Sequence, residues 1–392
     1  MTPLQGLTVV TLEHAIAAPF ATRQLADLGA RVIKIERPGV GDFARAYDER
    51  VKGLASHFVW TNRGKESVTL DVKHAAAAPI LQRLLARADV LVQNLAPGAA
   101  ARLGLGYEAL APAHPRLIVC DISGYGDDGP YRDKKAYDLL IQSESGFLSV
   151  TGTPDEPAKA GCSIADIAAG MYAYSRILAA LLERQRSGRG AHVGISMLES
   201  MVEWMSYPLY YAYDGAAPPP RAGAAHATIF PYGPFPTGDG KTVMLGLQNE
   251  REWQVFCAQV LQRPELANDE RFASNARRVA ARDELKRLIV GAFAALTAEQ
   301  VVARLDAAQI ANARVNAMPD VWAHPQLVAR DRWREVATPA GPVPALLPPG
   351  AEPGDDTPMG AVPALGQHTD AVLVELGVSA DEIARLRADG AV

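Results

Sequence analysis

The chain from Leu7 to Ser123 alternates between short apolar runs and longer amphipathic stretches, and this alternation restricts the fold more than any other feature of the sequence. The short runs are typical of buried strands, and the stretches between them have the apolar spacing of helices. Helical crossovers join parallel strands, whereas tight turns join antiparallel ones. The alternation therefore predicts a doubly wound α/β domain with a mostly parallel, Rossmann-like sheet.

The same patterns set the bounds of the expected elements. The predicted strands of the sheet are Leu7–Leu12, Arg31–Glu36, Val68–Val72, Asp89–Asn94 and Leu117–Ser123. The predicted helices of this part are Ala17–Leu28, Ala75–Ala88 and a long helix from Ile164 to the stop signal Ser187-Gly188. Further along, a strand is predicted at Thr242–Leu247 and helices at Glu250–Leu261, Ala281–Leu296, Ala298–Ala307 and Gln367–Leu376.

Two stretches rich in proline, glycine and alanine divide the chain. The first lies between Asp214 and Pro236 and the second between Thr338 and Gly366. Such composition is typical of irregular connectors. We therefore expect a large domain at 1–213, a linker at 214–240, an inserted small α+β domain at 241–330, and a second linker with a C-terminal segment returning to the large domain at 331–392.

Composition disfavours several classes of protein. The net charge is −5 and the lysines and arginines are scattered, which argues against nucleic-acid binding. The three cysteines are far apart and lack C-x-x-C spacing, so neither a disulfide framework nor a bound metal is expected. The N-terminus has no export signal pattern, and no long apolar run predicts a membrane span. The sequence therefore predicts a cytoplasmic protein.

The loops after the predicted strands lack the fingerprints of the commonest α/β enzymes. No G-x-G-x-x-G follows the first strand, and no G-x-x-x-x-G-K-[ST] occurs in the chain. These motifs bind the phosphates of dinucleotides and nucleotides. An ordinary NAD or ATP enzyme is therefore disfavoured.

A stretch of small residues, Lys159–Gly170, leads into the long predicted helix and carries one carboxylate, Asp166. With Ser163 as the N-cap, Asp166 is the third helical residue, where free backbone N–H groups and the helix dipole favour the ionised form. An ionised, partly dehydrated carboxylate can act as a nucleophile. The alternative is ordinary capping, because Ser-x-x-Asp before an apolar run is a common helix start.

A series of motifs in a fixed order spans nearly the whole chain. They are V-x-x-L-E-H-x-x-A-A-P at 9–19, the segment 29–39, Gly41-Asp42, and the segments 62–67, 70–73, 89–94 and 124–130, then Tyr137-Asp138, the Asp166 stretch, and the segments 188–190 and 365–370. In order and spacing they resemble the family III CoA-transferases. That group includes formyl-CoA transferase and relatives such as the α-methylacyl-CoA racemases.

The resemblance implies a reaction and a nucleophile. Asp166 falls on the family's catalytic aspartate, whose carboxylate attacks an acyl-CoA to give a mixed anhydride and then an aspartyl-CoA thioester. CoA passes to the acceptor acid through a second anhydride. One alternative is 2-methylacyl-CoA racemisation, which needs a His and Asp pair, but Tyr137 stands at the His position. A non-catalytic acyl-CoA-binding protein is the other alternative, and the intact Asp166 segment disfavours it.

The resemblance also implies which residues hold coenzyme A. CoA carries a 3′-phosphate and a diphosphate, which need several cations at close range. The implied cofactor-binding residues are Ile16, Ala17, Arg37, Leu70, Asp71, Val72, Lys73, Asn94, Leu95, Ala96, Arg102, Lys135 and Tyr137. Formyl-CoA transferase has glutamine at the position of Ile16, so a side-chain hydrogen bond made there in that enzyme is not expected here.

Substrate class and assembly are implied in the same way. The segments 39–45 and 56–67 look most like those of members that act on dicarboxylates such as succinate, mesaconate, citramalate, itaconate or glutarate. The distal carboxylate of such an acid needs a cation. The candidate substrate residues are His14, Arg45, Arg50 and His226. The resemblance further implies a homodimer of two interlocked rings.

Overall fold

The computed structural model describes residues 2–392, which form two compact units. The large unit contains the chain up to Gly146 together with Ala160–Ser206 and Pro325–Val392. The small unit contains Phe147–Lys159 and Tyr207–His324. The C-terminal segment thus returns to the large unit. The small unit also takes in residues 147–159, which lie within the range predicted for the large domain.

A six-stranded sheet forms the centre of the large unit, and all of its strands are parallel. In chain order they are β1 (Thr8–Leu12), β2 (Arg31–Glu36), β3 (Lys65–Thr69), β4 (Val90–Gln93), β5 (Ile118–Ser123) and β6 (His192–Ser196). Their spatial order is β3-β2-β1-β4-β5-β6, so the order reverses between β1 and β4. The doubly wound prediction is confirmed, and ligands bind such sheets at the reversal point.

Helices flank this sheet and form much of the small unit. The first eight are α1 (Ala17–Asp27), α2 (Ser56–Asn62), α3 (Ala77–Leu85), α4 (Ala99–Arg102), α5 (Tyr107–Leu110), α6 (Asp138–Glu144), α7 (Phe147–Val150) and α8 (Ile164–Ser187). The others are α9 (Met197–Trp204), α10 (Ser206–Tyr211), α11 (Glu250–Val255), α12 (Asn275–Ala280), α13 (Arg282–Phe293), α14 (Ala298–Ala307), α15 (Met318–Trp322), α16 (Pro325–Ala329), α17 (Thr369–Glu375) and α18 (Ala380–Ala388).

The core of the large unit follows from strands that are apolar on both faces, as in other covered parallel sheets. On one face, strand residues such as Val10, Ile33 and Leu91 pack with apolar residues of α3, α17 and α18. Elsewhere in the unit, α8 packs against β5, β6 and α1. Gly170 lets the two helices approach, because a Cβ at this position would lie 2.7 Å from the Ala17 carbonyl oxygen.

Helix α8 also has the length and mean hydropathy of a membrane span, a test that core helices of soluble proteins pass as well. Its buried residues are mostly small, including Ala165, Ala169 and Ala173. The same test is met by α13 and α14 only if they are joined across a bend of 107°. The packing of α8 on α1 and the sheet is that of a core helix.

The small unit is built around an antiparallel sheet of β7 (Tyr232–Pro236), β8 (Thr242–Gly246) and β9 (Ala311–Arg314). Aromatic residues dominate its core, among them Phe235, Trp253 and Phe293. Strand β7 lies inside the predicted linker. It was not predicted as a strand because two of its five residues are prolines. Proline is compatible with an edge strand such as β7. Within 325–392, β10 (Trp333–Val336) and β11 (Val343–Leu346) form a separate antiparallel pair.

Some predicted bounds were wrong. Strand β3 begins at Lys65 rather than Val68, because Lys65 and Ser67 point their polar groups at buried carboxylates. The predicted helix at 250–261 is α11 followed by a π-helical turn, Phe256–Val260. Strand β6 was not predicted. Short 3-10 turns occur at Phe43–Ala46, Tyr213–Gly215, Pro264–Asn268 and Glu270–Phe272.

Candidate active site

The loops that follow β1 and β4 meet at the reversal point of the sheet. The Asn94 side chain joins them, because its Oδ1 accepts the His14 N–H at 2.9 Å and its Nδ2 donates to the His14 carbonyl oxygen at 2.9 Å. Both polar ends of this amide are therefore used within the protein. Asn94 was predicted to contact the cofactor, but its side chain holds the two loops together.

The loop after β1 turns at Ala15, whose φ of 61° lies in the left-handed region. The Ala15 N–H donates to Asp42 Oδ1 at 3.1 Å, and the same oxygen accepts the Ala44 N–H at 2.9 Å. Asp42 thus caps the turn Phe43–Ala46 and also holds the loop after β1. This carboxylate maintains a backbone conformation that alanine rarely adopts.

Behind this loop lies a group of charges that are all buried: Glu13, Lys34, Asp42 and Lys65. Lys65 Nζ lies 2.6 Å from Glu13 Oε1, and Lys34 Nζ lies 2.7 Å from Asp42 Oδ2. Burial alone would raise the pKa of Glu13, but Lys65 and Lys34 outweigh it and lower that pKa to about 2. Each charge in this group has a partner of opposite sign, so the group supports the loop rather than reacting.

The second part of the site is the start of α8. Asp138, the first residue of α6, reaches this helix end, and its Oδ1 accepts the Ala165 N–H at 2.8 Å and the Asp166 N–H at 3.3 Å. Its Oδ2 accepts a hydrogen bond from Gln142 Nε2 at 2.6 Å. Gln142 is fully buried, and its Oε1 accepts the Ala160 N–H at 2.9 Å. These contacts fix the turn that carries Asp166.

The helix start was expected to lower the pKa of Asp166, but the pKa is raised. Ser163 is the N-cap, as predicted, but its side chain makes no capping hydrogen bond, and Asp138 occupies N–H groups of the first turn. The dipole and the free N–H groups are thus used by another carboxylate. Burial, and after it the charge of Asp138, raise the pKa of Asp166 to about 7. Asp166 therefore titrates near neutral pH, and its anion is a stronger base than an ordinary aspartate.

The rings of His14, Phe43 and Tyr47 pack against one another in that order. The centroids of His14 and Phe43 are 5.3 Å apart, and those of Phe43 and Tyr47 are 5.8 Å apart. Burial and nearby anionic groups, among them Asp166, raise the pKa of Tyr47 to about 12. The Tyr47 hydroxyl therefore stays protonated, and it can donate a hydrogen bond.

His14 is a neutral imidazole, since burial lowers its pKa. Its Nδ1 is buried without a hydrogen-bond partner and lies 3.9 Å from Asp42 Oδ1. About a third of the side chain remains exposed beside the loop. His14 is therefore still a candidate contact for substrate, as predicted from the sequence.

The four predicted cofactor-binding cations share one property. Each side chain is exposed and has no ion pair or hydrogen bond within residues 2–392: Arg37, Lys73, Arg102 and Lys135. Each follows a different strand, from β2 to β5, so all four belong to the carboxyl-end loops or the helix directly after one. Other arginines of the unit, such as Arg63 and Arg184, are paired with carboxylates. Unpaired cations in these loops suit a ligand with several phosphates.

The uncharged members of the predicted cofactor set are mostly built into the protein. Ile16, Ala17 and Leu70 have buried side chains, so only their backbones can meet a ligand. Val72 and Leu95 pack against the same core as Leu70. Of the remaining members, Asp71 accepts the Lys73 N–H, while Ala96 and Tyr137 are exposed. No group of three or more His, Cys, Asp or Glu side chains suited to a metal lies within the described residues.

The candidate substrate cations differ from one another. Arg45 forms a double hydrogen bond with Glu36 at 2.9 and 2.8 Å and lies 3.7 Å over the Phe58 ring, so its charge is already neutralised. Arg45 was predicted as a candidate cation for the distal carboxylate of the substrate, and Glu36 takes up its charge in the described chain. Arg50 is exposed and its side chain has no partner in the described chain. His226 belongs to the small unit, where its Nδ1 accepts two backbone N–H groups at 3.2 and 3.0 Å.

Several residues that shape the site were not predicted as functional. Asp138, Asp42 and Lys34 were noted only as parts of motifs, and Gln142 was not noted at all. Acidic residues at a helix or turn start are ordinary in sequence. Nothing local indicates that Asp138 caps a helix that begins so much later in the chain. Only the fold brings these groups together.

Residues 4–369 match the profile of CoA-transferase family III. The chain belongs to CoA-transferase family III. The succinate–glutarate CoA-transferase of Agrobacterium fabrum is 35% identical over 386 residues, which cover 95% of this chain and 96% of the relative. The succinyl-CoA:glutarate CoA-transferase of Mus musculus is 34% identical over 383 residues, covering 96% and 87%.

Solved structures agree with this membership. A CAIB/BAIF family protein from Brucella suis is 35% identical to this CoA-transferase, with a TM-score of 0.84. The match covers 96% of this chain and 99% of that one. The six-stranded parallel sheet and the small antiparallel sheets of this CoA-transferase therefore belong to a fold that a related protein adopts in a crystal.

Proposed function

We propose that this family III CoA-transferase moves CoA between two carboxylic acids and that Asp166 is the covalent nucleophile. The observation that supports this role best is the state of Asp166: it has no cationic partner among residues 2–392, and its pKa is raised to about 7. A partly dehydrated carboxylate without a cationic partner is reactive at neutral pH. A structural carboxylate would be paired, as Glu13 is.

The chemistry follows from a carboxylate nucleophile. A carboxylate oxygen of Asp166 attacks the carbonyl carbon of the donor acyl-CoA, the carbon–sulfur bond breaks, and CoA leaves as the thiolate. The thiolate attacks the Asp166 carbonyl of the resulting anhydride, so the donor acid leaves and an aspartyl-CoA thioester remains. The acceptor carboxylate then attacks the aspartyl-CoA thioester, which releases the CoA thiolate and gives a second anhydride. The thiolate attacks the acceptor carbonyl of this anhydride, so the acceptor leaves as its CoA ester and Asp166 is regenerated. Water must be kept out, because an anhydride hydrolyses readily.

The neighbours of Asp166 serve this chemistry by position. Asp138, held by Gln142, takes up the Ala165 and Asp166 N–H groups and leaves the Asp166 side chain free of capping hydrogen bonds. Its charge also keeps the Asp166 carboxylate basic. The protonated Tyr47 hydroxyl is the candidate donor to the oxygen that becomes negative in each addition.

The acyl-CoA itself is assigned to the loops at the carboxyl ends of the strands. Arg37, Lys73, Arg102 and Lys135 would bind its phosphates, because they are the unpaired cations of these loops and helix α4. The backbone of Ile16 and Ala17 would lie against the cofactor. Their buried side chains leave only this mode of contact.

We assign dicarboxylic acids as donor and acceptor. The two relatives above are named for succinate and glutarate. Arg50 supports this assignment, since it is exposed without a partner and lies three residues after Tyr47, the ring beside Asp166. Arg50→Gln should raise KM for succinate or glutarate by about tenfold, the usual value of one charge-assisted contact, and leave KM for acetate unchanged. Arg186→Gln, on an exposed helix face, is the matched control.

The direct test is exchange of CoA between succinyl-CoA and labelled acids. We expect label to enter the CoA ester pool with glutarate and other dicarboxylates, and much less with acetate or formate. Binding of acyl-CoA without exchange would identify a binding protein instead. Exchange of the α-proton of a 2-methylacyl-CoA without CoA transfer would identify a racemase.

A homodimer of interlocked rings in the cytoplasm completes the proposal. A cluster of strongly exposed tyrosines in and after α10 supports burial by a second copy of the chain: Tyr207, Tyr210, Tyr211 and Tyr213. The three cysteines are all free, which suits a reducing compartment. Sedimentation equilibrium should give twice the chain mass, and a stable monomer would contradict the dimer.

A further inference from the structure

A chain of three polar side chains crosses the sheet from β6 to β4 and is not used by the chemistry above. His192 Nε2 lies 2.8 Å from Asp121 Oδ2. The other oxygen of that carboxylate, Asp121 Oδ1, accepts a hydrogen bond from Gln93 Nε2 at 2.7 Å. Gln93 Oε1 in turn accepts the Leu95 N–H at 2.7 Å. The chain of hydrogen bonds thus ends on the backbone of the loop after β4.

The direction of each hydrogen bond is determined by the groups involved. An ionised carboxylate only accepts, so Asp121 requires the amide NH2 of Gln93 on its side. The carbonyl oxygen of Gln93 must then face Leu95, whose backbone N–H only donates. Asp121 also raises the pKa of His192, with its hydrogen bond as the main cause. The ring of Tyr107 stacks on His192 at 5.7 Å and restricts the imidazole from the outer side.

These hydrogen bonds end on the loop after β4. This loop and the loop after β1 form the proposed ligand crevice at the reversal point of the sheet. Leu95 directly follows Asn94, whose side chain holds the loop after β1 through the His14 backbone. Fixing the Leu95 N–H therefore fixes both loops at the reversal point. Gln93 is buried, so its amide cannot turn over and exchange its partners for water.

We propose that Gln93, Asp121 and His192 are positioning residues for CoA: they hold the loop 94–96 in the conformation that receives the cofactor. This inference rests on the proposed CoA site. None of the three side chains needs to touch the ligand. Their contribution should appear in the affinity for CoA and in KM for acyl-CoA, while kcat, which depends on Asp166, stays close to the parent value.

The polarity of the chain allows a sharp test. Gln93→Glu places two carboxylates against each other and should weaken CoA binding about tenfold, the effect of roughly one lost charge-assisted hydrogen bond. Adding Asp121→Asn should restore it, because the new amide at position 121 can donate to the new carboxylate at position 93 while its oxygen still accepts from His192. The double variant thus reverses the hydrogen bond between positions 93 and 121 and keeps the other two. Gln82→Glu, an exposed glutamine bonded to His114, controls for the added charge.

The measurements are calorimetric Kd for CoA, together with kcat and KM for succinyl-CoA. We expect the tenfold loss in Gln93→Glu, recovery to within about threefold of the parent in the double variant, and no change in Gln82→Glu. Unchanged affinity in Gln93→Glu, or no recovery in a folded double variant, would overturn the proposal. If Gln93→Glu does not fold, Gln93→Met, which removes both hydrogen bonds, should show the same loss of affinity, and normal affinity there would overturn it.

The two proposals fail in different ways. If the parent protein binds CoA but exchanges it with no acid, the transferase proposal fails and the Kd comparison still decides the role of Gln93. If the parent exchanges CoA and the variants retain parental Kd and KM, the transferase proposal stands and the positioning role is wrong.

Discussion

Glu13, which is fully buried, and Asp166, which is partly buried, are both carboxylates of the large unit, yet their chemistry is opposite. Glu13 lies 2.6 Å from Lys65 and 3.5 Å from Lys34, and its pKa is lowered to about 2. Asp166 has only another carboxylate, Asp138, as a charged neighbour that shifts its pKa, and that pKa is raised to about 7. Burial acts in the same direction on both groups. The sign of the neighbouring charge therefore decides whether the pKa of the carboxylate is lowered or raised.

The presence or absence of a cationic partner distinguishes a structural carboxylate from a reactive one. A buried carboxylate with cations is locked in the ionised state and stabilises the loop around it. A buried carboxylate without cations is costly to ionise, and the protein keeps it only where that cost is useful. On this basis, Glu13 belongs to the scaffold of the crevice and Asp166 to its chemistry.

The largest effect is expected for Asp166→Asn. An amide cannot form the anhydride, so CoA exchange should fall by about a thousandfold or more, a typical loss for a covalent nucleophile. The variant should bind CoA with parental Kd and show an unchanged circular dichroism spectrum. Asp155→Asn, an exposed aspartate of the small unit, serves as control. Exchange at a tenth of the parental rate in Asp166→Asn would be incompatible with the proposed role.

Lys65→Met breaks the buried ion pair between Lys65 and Glu13. Removing one partner leaves Glu13 buried next to Lys34 alone, and breaking a buried pair typically costs about 3 to 5 kcal/mol. Urea unfolding should report this loss of stability. The double variant Glu13→Gln with Lys65→Met should recover much of it, since no uncompensated charge remains. Glu183→Gln, which breaks an exposed pair with Arg186, should change stability by less than about 0.5 kcal/mol.

These pairings explain what could be predicted from the sequence. Strand β2 was predicted with its observed bounds because all of its signal is local: six residues, three of them β-branched and apolar, between a glycine turn and a proline. Strand β3 was misplaced because Lys65 and Ser67 resemble loop residues until their partners Glu13 and Glu36 are known. The place of Asp166 at a helix start was predictable. Its raised pKa was not, because burial of the side chain and the charge of Asp138, on another helix, arise only in the fold.

The raised pKa of Asp166 predicts that the stability of the protein depends on pH. The pKa of Asp166 is about 7 in the folded protein and 3.8 as a free group, so its stabilising protonated form is lost as pH rises toward 7. Asp166→Asn should therefore stabilise the protein by about 2 kcal/mol at pH 8, after discounting for solvent around the half-buried group. The gain should shrink toward pH 5. Equal gains at both pH values would remove the electrostatic explanation.

The smallest effect is expected for Asp138→Asn. Loss of its charge should lower the pKa of Asp166, because Asp138 is the second cause of the upward shift after burial. The rise of kcat/KM with pH, expected near neutral pH in the parent, should move to lower pH by about one unit or less. The plateau rate should also drop modestly as the carboxylate becomes less basic. A profile that does not move, in a folded variant, would show that Asp138 acts only as a cap.

The central claim is that Asp166, a carboxylate without a cationic partner, carries CoA covalently. The most direct measurement is mass spectrometry of protein incubated with succinyl-CoA in the absence of an acceptor acid, followed by proteolysis. We predict an adduct of CoA on the peptide that contains Asp166, removable by hydroxylamine and absent from Asp166→Asn. An adduct on any other residue, or exchange at the parental rate with no adduct on this peptide, would contradict the account.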